Sequence, residues 1–151
     1  MIDGGLSQLI QRYLPHFDWQ RIESSAIASG VPDLNGCYNG VEVWLELKQT
    51  GAWALDIRPA QIGWAEKRVR HGGRVFMAVR RHCFAGPRKP AVDELHLFGG
   101  HQVRDLSAWG LKSDAPRLGI WIGRPANWNW KEIETILLKC KCCLESADSV
   151  A

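Results

Sequence analysis

The feature of this sequence that most constrains its fold is a tight turn, Asn39-Gly40, followed by an alternating segment from Val41 to Lys48. Asn-Gly favours a type I′ hairpin turn, because both central residues of that turn need positive φ. Alternation with a period of two is typical of a β-strand. One face carries Val41, Val43, Leu45 and Leu47, and the other carries Glu42, Trp44, Glu46 and Lys48. The sequence therefore predicts a β-hairpin around residues 39–40.

The hairpin also predicts which residues face each other. If Tyr38 pairs with Val41, Asp33 lies directly opposite Glu46, with about 4.5–5.5 Å between their Cβ atoms. Lys48 projects from the same face as Glu46. Two opposed carboxylates repel each other unless a positive charge lies between them, and that charge is either Lys48 alone or a divalent cation such as Mg²⁺. In outline, this is a metal-dependent nuclease site.

A second interpretation of the same residues needs no chemistry. Asp33 could cap a turn after Pro32, while Glu42, Glu46 and Lys48 belong to an ordinary solvated strand face. This interpretation does not explain why Trp44 lies on that face, since a large aromatic side chain is usually packed against other residues.

The rest of the chain shows helices and strands in a mixed order. Apolar residues at helical spacing predict a first helix that ends at Leu14-Pro15. Pro59 and Gly72-Gly73 bound a second helix at about 59–71. We expect strands at 74–81, 94–98 and 118–122, a turn at 99–100, a short helix at 103–109, and a last helix capped by Asn129 and Glu132 with an apolar stripe of Ile133, Ile136, Leu137 and Cys140. The prediction is an α/β fold with a mixed central sheet flanked by helices, in one domain over 1–143, with a disordered tail over 144–151.

Length and composition exclude several classes of protein. The chain has 151 residues, and its longest apolar runs are far below the roughly 20 residues of a membrane-spanning helix. The first residues lack the pattern of a secretory signal, so we expect a cytoplasmic protein that makes no membrane contact. Five cysteines without loop-like pair spacing favour reduced thiols over disulfides or a structural zinc site.

Basic residues are concentrated in the middle of the chain. Nine lysines and arginines lie between Arg58 and Lys89, against one acidic residue, Glu66. Such a block is either a solvated helix face or a surface that binds nucleic-acid phosphates, because cations that displace condensed counterions supply most non-specific affinity for nucleic acid.

These residues together resemble a known nuclease family. Val31-Pro32-Asp33, a gap of twelve residues and Glu46-Leu47-Lys48 are similar to the PD-(D/E)xK signature, and Gly30 completes the Gly-x-Pro-Asp form of VRR-NUC and Holliday-junction-resolvase-like nucleases. The resemblance covers about residues 20–81. It implies a restriction-endonuclease-like αβββαβ core and DNA as the partner. The compact format resembles that of phage or mobile-element enzymes, which would place the protein in the host cytoplasm.

The hairpin geometry and the resemblance together assign a metal site. Mg²⁺, with Mn²⁺ as a substitute, would be bound by Asp33, Glu46 and the backbone carbonyl of Leu47. The resemblance adds Glu23 as a further metal-site residue, and a solvated charge at a helix end is almost as good an interpretation. Lys48 would orient or activate the attacking water, or stabilise charge on the phosphate.

Further residues are assigned to positioning and to DNA contact. Gln61, early in the second helix, matches a glutamine that recurs in these families and would position Lys48 or a phosphate. Its other interpretation is an ordinary polar residue at a helix start. The expected contacts to the nucleic-acid backbone are Arg58, Lys67, Arg68 and Arg70.

Eight tryptophans are many for a chain of this length. Trp44 and Trp64 are candidates for stacking on unpaired bases beside the site, although packing in a core or interface is the favoured role. Trp128 and Trp130 are expected to pack near the last helix. The surplus of aromatic surface also favours a homodimer.

Three functions follow from this sequence. The favoured one is a Mg²⁺-dependent DNA endonuclease, with branched or recombination intermediates as candidate substrates. The alternative is a nucleic-acid-binding module on a nuclease-like fold that does not cut. The third is a structural or interaction protein in which the motif arose by chance. DNA is expected as the substrate, and the sequence leaves RNA open.

Overall fold

A six-stranded mixed sheet with helices on both faces forms the framework of the protein. The computed structural model describes residues 5–23 and 29–139. In chain order, the elements are α1 (Leu6–Tyr13), β1 (Asp18–Arg21), β2 (Leu34–Tyr38), β3 (Val41–Thr50), α2 (Pro59–Arg70), β4 (Val75–Cys83), β5 (Val92–Gly99), α3 (Val103–Trp109), β6 (Gly119–Ile122) and α4 (Trp130–Lys139). Within these ranges, no helix is long and apolar enough to span a membrane.

The strands lie side by side in the order of the chain, from β1 to β6. Neighbouring strands are antiparallel except β3 and β4, which are parallel. A parallel pair needs a crossover connection, and α2 supplies it. The first six elements follow the order α1-β1-β2-β3-α2-β4, which is the predicted αβββαβ core. The predicted fold class is therefore confirmed.

The hairpin between β2 and β3 has the predicted register. Tyr38 pairs with Val41, and the pairing continues to Leu34 opposite Leu45. Asn39 and Gly40 both have positive φ, 51° and 74°, as a type I′ turn requires. Asp33 directly precedes Leu34, and Glu46 directly follows Leu45. Continuing the same register by one residue therefore sets Asp33 opposite Glu46.

Each face of the sheet has its own hydrophobic core. The cluster under α1 and α4 includes Val43, Leu45 and Leu47 of β3, all of them buried. The cluster under α2 and α3 includes Met77 and Val79 of β4. Because side chains alternate along a strand, Glu46 and Lys48 project from β3 toward the α2 side. The strand thus contributes apolar residues to one core and polar residues to the edge of the other.

Several boundaries differ from the sequence prediction. β4 ends at Cys83, two residues beyond the predicted strand at 74–81. β5 begins at Val92, two residues before the predicted strand at 94–98. The sequence assigned no residues to β1, since this short strand is largely exposed and shows no apolar alternation. Cys140 and the predicted tail 144–151 lie outside the described residues.

The last helix begins as predicted, with one difference at its cap. The Glu132 N–H donates a hydrogen bond to Asn129 Oδ1 at 3.1 Å. The Glu132 carboxylate, expected to return a bond to the Asn129 backbone, accepts instead from Trp121 Nε1 at 3.4 Å. Trp128 is buried beside this helix and Trp130 stacks on Tyr13 at 4.8 Å, which confirms their packing role.

Gly30, the glycine of the Gly-x-Pro-Asp motif, lies against the start of α2. Its φ is +85°, and a Cβ at this position would come within 2.2 Å of the Ala60 carbonyl oxygen. A side chain would therefore push the segment that carries Asp33 away from α2. This close approach explains why the motif has a glycine at position 30.

Gly30→Ala is expected to destabilise the protein by about 2–4 kcal/mol, because it adds a backbone clash to a left-handed conformation. Urea unfolding would measure the change. Gly63→Ala is the matched control, since its Cβ would meet no atom within 4 Å and alanine favours a helix. Equal stabilities for the two variants would contradict the role given to Gly30.

Candidate active site

A cavity of about 400 Å³ opens where the carboxyl-terminal part of β3 meets the start of α2. β3 and α2 form its walls. Because side chains alternate along β3, Glu46 and Lys48 lie on the same face of the strand, and α2, which starts at Pro59, packs opposite them. The cavity is lined by Ile22, Val31, Asp33, Glu46, Lys48, Gln49, Thr50, Ala54, Leu55, Asp56, Arg58 and Gln61.

The two predicted carboxylates meet in this cavity. Asp33 is anchored from both sides: its backbone carbonyl accepts a hydrogen bond from Ile22 N at 2.8 Å, and its Oδ2 accepts from Leu47 N at 2.8 Å. Glu46 is only 5% exposed. Burial, followed by the nearby charge of Asp33, raises the pKa of Glu46 to about 8, against the lowering effect of Lys48. In the metal-free protein, Glu46 therefore keeps its proton at neutral pH.

Gln61 connects the other polar groups of the cavity. Its Nε2 donates to Glu46 Oε1 at 2.7 Å, and its Oε1 accepts from Lys48 Nζ at 3.2 Å. The same oxygen accepts from the Arg58 backbone N–H at 2.9 Å, as a residue at the third position of a helix does in a capping box. One side chain thus fixes the start of α2 to the polar face of β3.

The burial of Glu46 and Lys48 excludes the solvated-face interpretation for these two residues, whereas Glu42 on the same face is exposed. Lys48 is 7% exposed, and its Nζ lies 3.7 Å from Glu46 Oε1. Trp44 on the same face packs against the α2 core instead of facing solvent. A buried lysine and glutamate beside a second carboxylate are costly to maintain, and they are typical of functional sites.

Not every predicted site residue lies in the cavity. Glu23 is exposed just after β1, two residues beyond Arg21, and is not among the residues that line it. Two residues that sequence reasoning missed, Gln49 and Asp56, do line it. Gln49 directly follows Lys48, and the Oε1 of Gln49 has no hydrogen-bond partner within the described part of the chain.

The four predicted DNA contacts separate into two groups. Arg58 lines the cavity, whereas Lys67 and Arg68 line a different one of about 550 Å³ near the end of α2. Arg70 is exposed at that same end. A helix rises about 1.5 Å per residue, so Arg58 and Lys67 are separated by about 14 Å along α2.

Trp64 lines the second cavity, and Trp44 packs against Trp64. Their rings lie 5.2 Å apart, edge to face, and both pack against the α2 core. The Arg68 guanidinium lies 4.6 Å from the centre of the Trp64 ring and 5.5 Å from that of Trp44. Of their two predicted roles, packing describes what these tryptophans do, and neither lines the cavity with Asp33.

The donor set fits a hard cation that is only partly bound by protein. Across residues 5–23 and 29–139, no group of three or more His, Cys, Asp or Glu side chains is placed to hold a metal ion. Mg²⁺ commonly uses one or two carboxylates and takes its other ligands from water and substrate phosphates. Asp33 and Glu46 supply two such carboxylates, and their cavity of about 400 Å³ has room for water and for a phosphate group.

The fold and the cavity together define an α/β protein with a paired-carboxylate site at the open end of a hairpin. No protein-family model matches the sequence, and no curated protein matches it. Among solved structures, the chain is similar to Hjc, a Holliday junction resolvase from the archaeon Archaeoglobus fulgidus, with 13% sequence identity and a TM-score of 0.41. The match covers 64% of this chain and 74% of Hjc.

Proposed function

We propose that this protein is a metal-dependent endodeoxyribonuclease of the PD-(D/E)xK superfamily. One observation carries the proposal: Asp33 and Glu46 face the same cavity as Lys48, and Gln61 bonds to both Glu46 and Lys48. A buried ammonium beside two carboxylates has little structural value, since an apolar core would be at least as stable. The same three groups are what hydrolysis of a phosphodiester requires.

Asp33 and Glu46, with the Leu47 carbonyl, would hold Mg²⁺ or Mn²⁺. Such an ion supplies positive charge that lowers the pKa of a bound water and neutralises the phosphate. Gln61 holds Lys48 Nζ in the cavity, where its remaining N–H groups can donate to the attacking water or to a phosphate oxygen. Arg58, at the rim, would bind a neighbouring phosphate.

The remaining assignments stay predictions. Glu23 would contact the metal directly or through water. Lys67, Arg68 and Arg70 would contact the backbone of DNA some distance from the cut. For a homodimer, Ile120 and Ile122 on β6 supply exposed apolar side chains, with 47% and 77% of their surface accessible. Branched DNA and RNA remain to be compared as substrates.

Cleavage of labelled DNA tests the proposal directly. Duplex, single-stranded, flap and four-way-junction DNA would be incubated with the protein in Mg²⁺ or Mn²⁺, beside Asp33→Ala. We expect metal-dependent cleavage that Asp33→Ala abolishes while the thermal unfolding of the variant shows an intact fold. The preferred substrate in this panel would also show whether branched DNA is favoured.

The outcomes separate the three candidate functions. Binding that persists in a chelator, without cleavage in either metal, would favour the non-catalytic nucleic-acid-binding module. Neither binding nor cleavage at low salt would indicate that the motif arose by chance. Cleavage retained in Asp33→Ala would contradict the role assigned to this carboxylate.

A further inference from the structure

Two exposed tryptophans lie next to the candidate active site. Trp53, in the loop between β3 and α2, is 42% exposed, and Trp109, the last residue of α3, is 70% exposed. Both line one cavity of about 290 Å³. Ala54 and Leu55 line this cavity and also the one that contains Asp33. The surface formed by Trp53 and Trp109, here called the tryptophan platform, therefore borders the catalytic cavity.

The platform is held in place by its neighbours. The Leu111 N–H donates to the Trp53 carbonyl at 2.8 Å, which ties the loop to the end of α3. On the other side, Cys83 Sγ donates to the Gly51 carbonyl at 2.9 Å. The Arg81 guanidinium lies 3.9 Å from the centre of the Trp53 ring. A surface that is ordered in advance loses little conformational entropy on binding.

The position of the platform indicates what it binds. Trp53 follows Lys48 by five residues, so the chain can separate them by at most about 17 Å. Stacked nucleotides advance about 3.4 Å along one strand, and this reach corresponds to about five nucleotides. Lys112 lines the platform cavity and Arg58 lines the catalytic one, so cations are present on both sides of the path between them.

We propose that the tryptophan platform stacks on unpaired bases of the DNA strand that is cut. The proposal rests on the nuclease function above and deepens it by naming a substrate class. Bases in an intact duplex are already stacked on each other, whereas an unpaired base presents a free π-face to an aromatic side chain. Substrates with unpaired nucleotides beside the cut would therefore bind more tightly than plain duplex.

A comparison of normal and abasic oligonucleotides tests this inference. Binding would be measured with Asp33→Asn protein, which blocks cleavage, using a single-stranded oligonucleotide and the same oligonucleotide without bases at its central positions. Each of the two tryptophans can stack on one base, and each stacked base tightens binding by about fivefold or more. We therefore expect at least about tenfold tighter binding of the oligonucleotide that keeps its bases. Trp53→Leu and Trp109→Leu, added separately, should lower this ratio and leave the abasic affinity unchanged.

Phenylalanine provides the matched control, because it keeps an aromatic face that leucine lacks. Trp53→Phe and Trp109→Phe should retain most of the preference for bases. A ratio that is unchanged in both leucine variants would overturn the platform. A fall in oligomer mass in the leucine variants, with the ratio unchanged, would overturn it in favour of a protein interface.

Failure of the platform can be distinguished from failure of the nuclease proposal. The tryptophan variants with Asp33 intact would also be tested for metal-dependent cleavage of plain duplex. Metal-dependent cleavage, together with equal affinity of the Asp33→Asn protein that keeps both tryptophans for the two oligonucleotides, would overturn the platform alone. No cleavage and no binding of either oligonucleotide would overturn both proposals.

Discussion

Lys48→Met is expected to lower the rate of metal-dependent DNA cleavage by about 10²–10³-fold. Methionine preserves most of the length and apolar character of the side chain but removes the charge and all three N–H donors. In the structure, the ammonium donates to Gln61 at 3.2 Å and lies 3.7 Å from Glu46 Oε1, which leaves a donor for a water or a phosphate. The rate would be measured in single turnover with protein in excess, so that weaker DNA binding does not contribute.

Lys131→Met is the matched control for this prediction. Lys131 is exposed on α4, which packs on the opposite face of the sheet from α2. Both variants lose one positive charge, but only Lys48 lies in the cavity. Similar rates in the two variants would show that Lys48 acts through net charge and not at the reacting phosphate.

Glu46→Gln is expected to stabilise the metal-free protein at alkaline pH. The pKa of Glu46 is about 8 in the folded protein, above the usual value of 4.5 expected in the unfolded chain. Below pH 4.5, both states bind the proton and the native stability is complete. As the pH rises from there through 8, the unfolded chain loses its proton first, and the wild-type protein loses stability relative to the glutamine variant.

The gain should be on the order of 5 kcal/mol at pH 9 and about 1 kcal/mol or less at pH 5. Urea unfolding in the presence of a chelator at the two pH values measures it. Glu42→Gln is the matched control, because Glu42 lies on the same strand face but is exposed, so its replacement removes no buried charge. The same stability difference for Glu46→Gln at both pH values would contradict the burial argument.

The sequence contains strong signals for some parts of the site and none for others. Asn39-Gly40 and the alternation that follows it are local signals, and together they determine the register that brings Asp33 toward Glu46. This inference succeeds because a turn type and a strand period leave few arrangements open. Gln61 is identified through the resemblance, in which a glutamine recurs early in the helix after the Glu-x-Lys strand.

Other parts of the site depend on tertiary packing. Asp56 and Trp53 lie in a loop without periodicity, so nothing local indicates that the loop folds back beside Lys48. The basic residues of α2 appear as one block in the sequence, but the helix separates Arg58 from Lys67. Trp64 lies at the Lys67 end of the helix, away from the cavity that contains Asp33, and Trp44 of β3 packs against it. The sequence could not distinguish the two ends of the helix.

The pairing of β2 with β3 restricts how the spacing between the two carboxylates can change in related proteins. One residue inserted into β2 alone would turn Asp33 toward the opposite face of the sheet, away from Glu46. One residue added to each strand would keep the carboxylates opposite each other but would direct both away from Gln61. With the two-residue turn retained and no bulge, a functional hairpin must lengthen by two residues in each strand at once. Relatives with this site should therefore differ in motif spacing by whole steps of four residues.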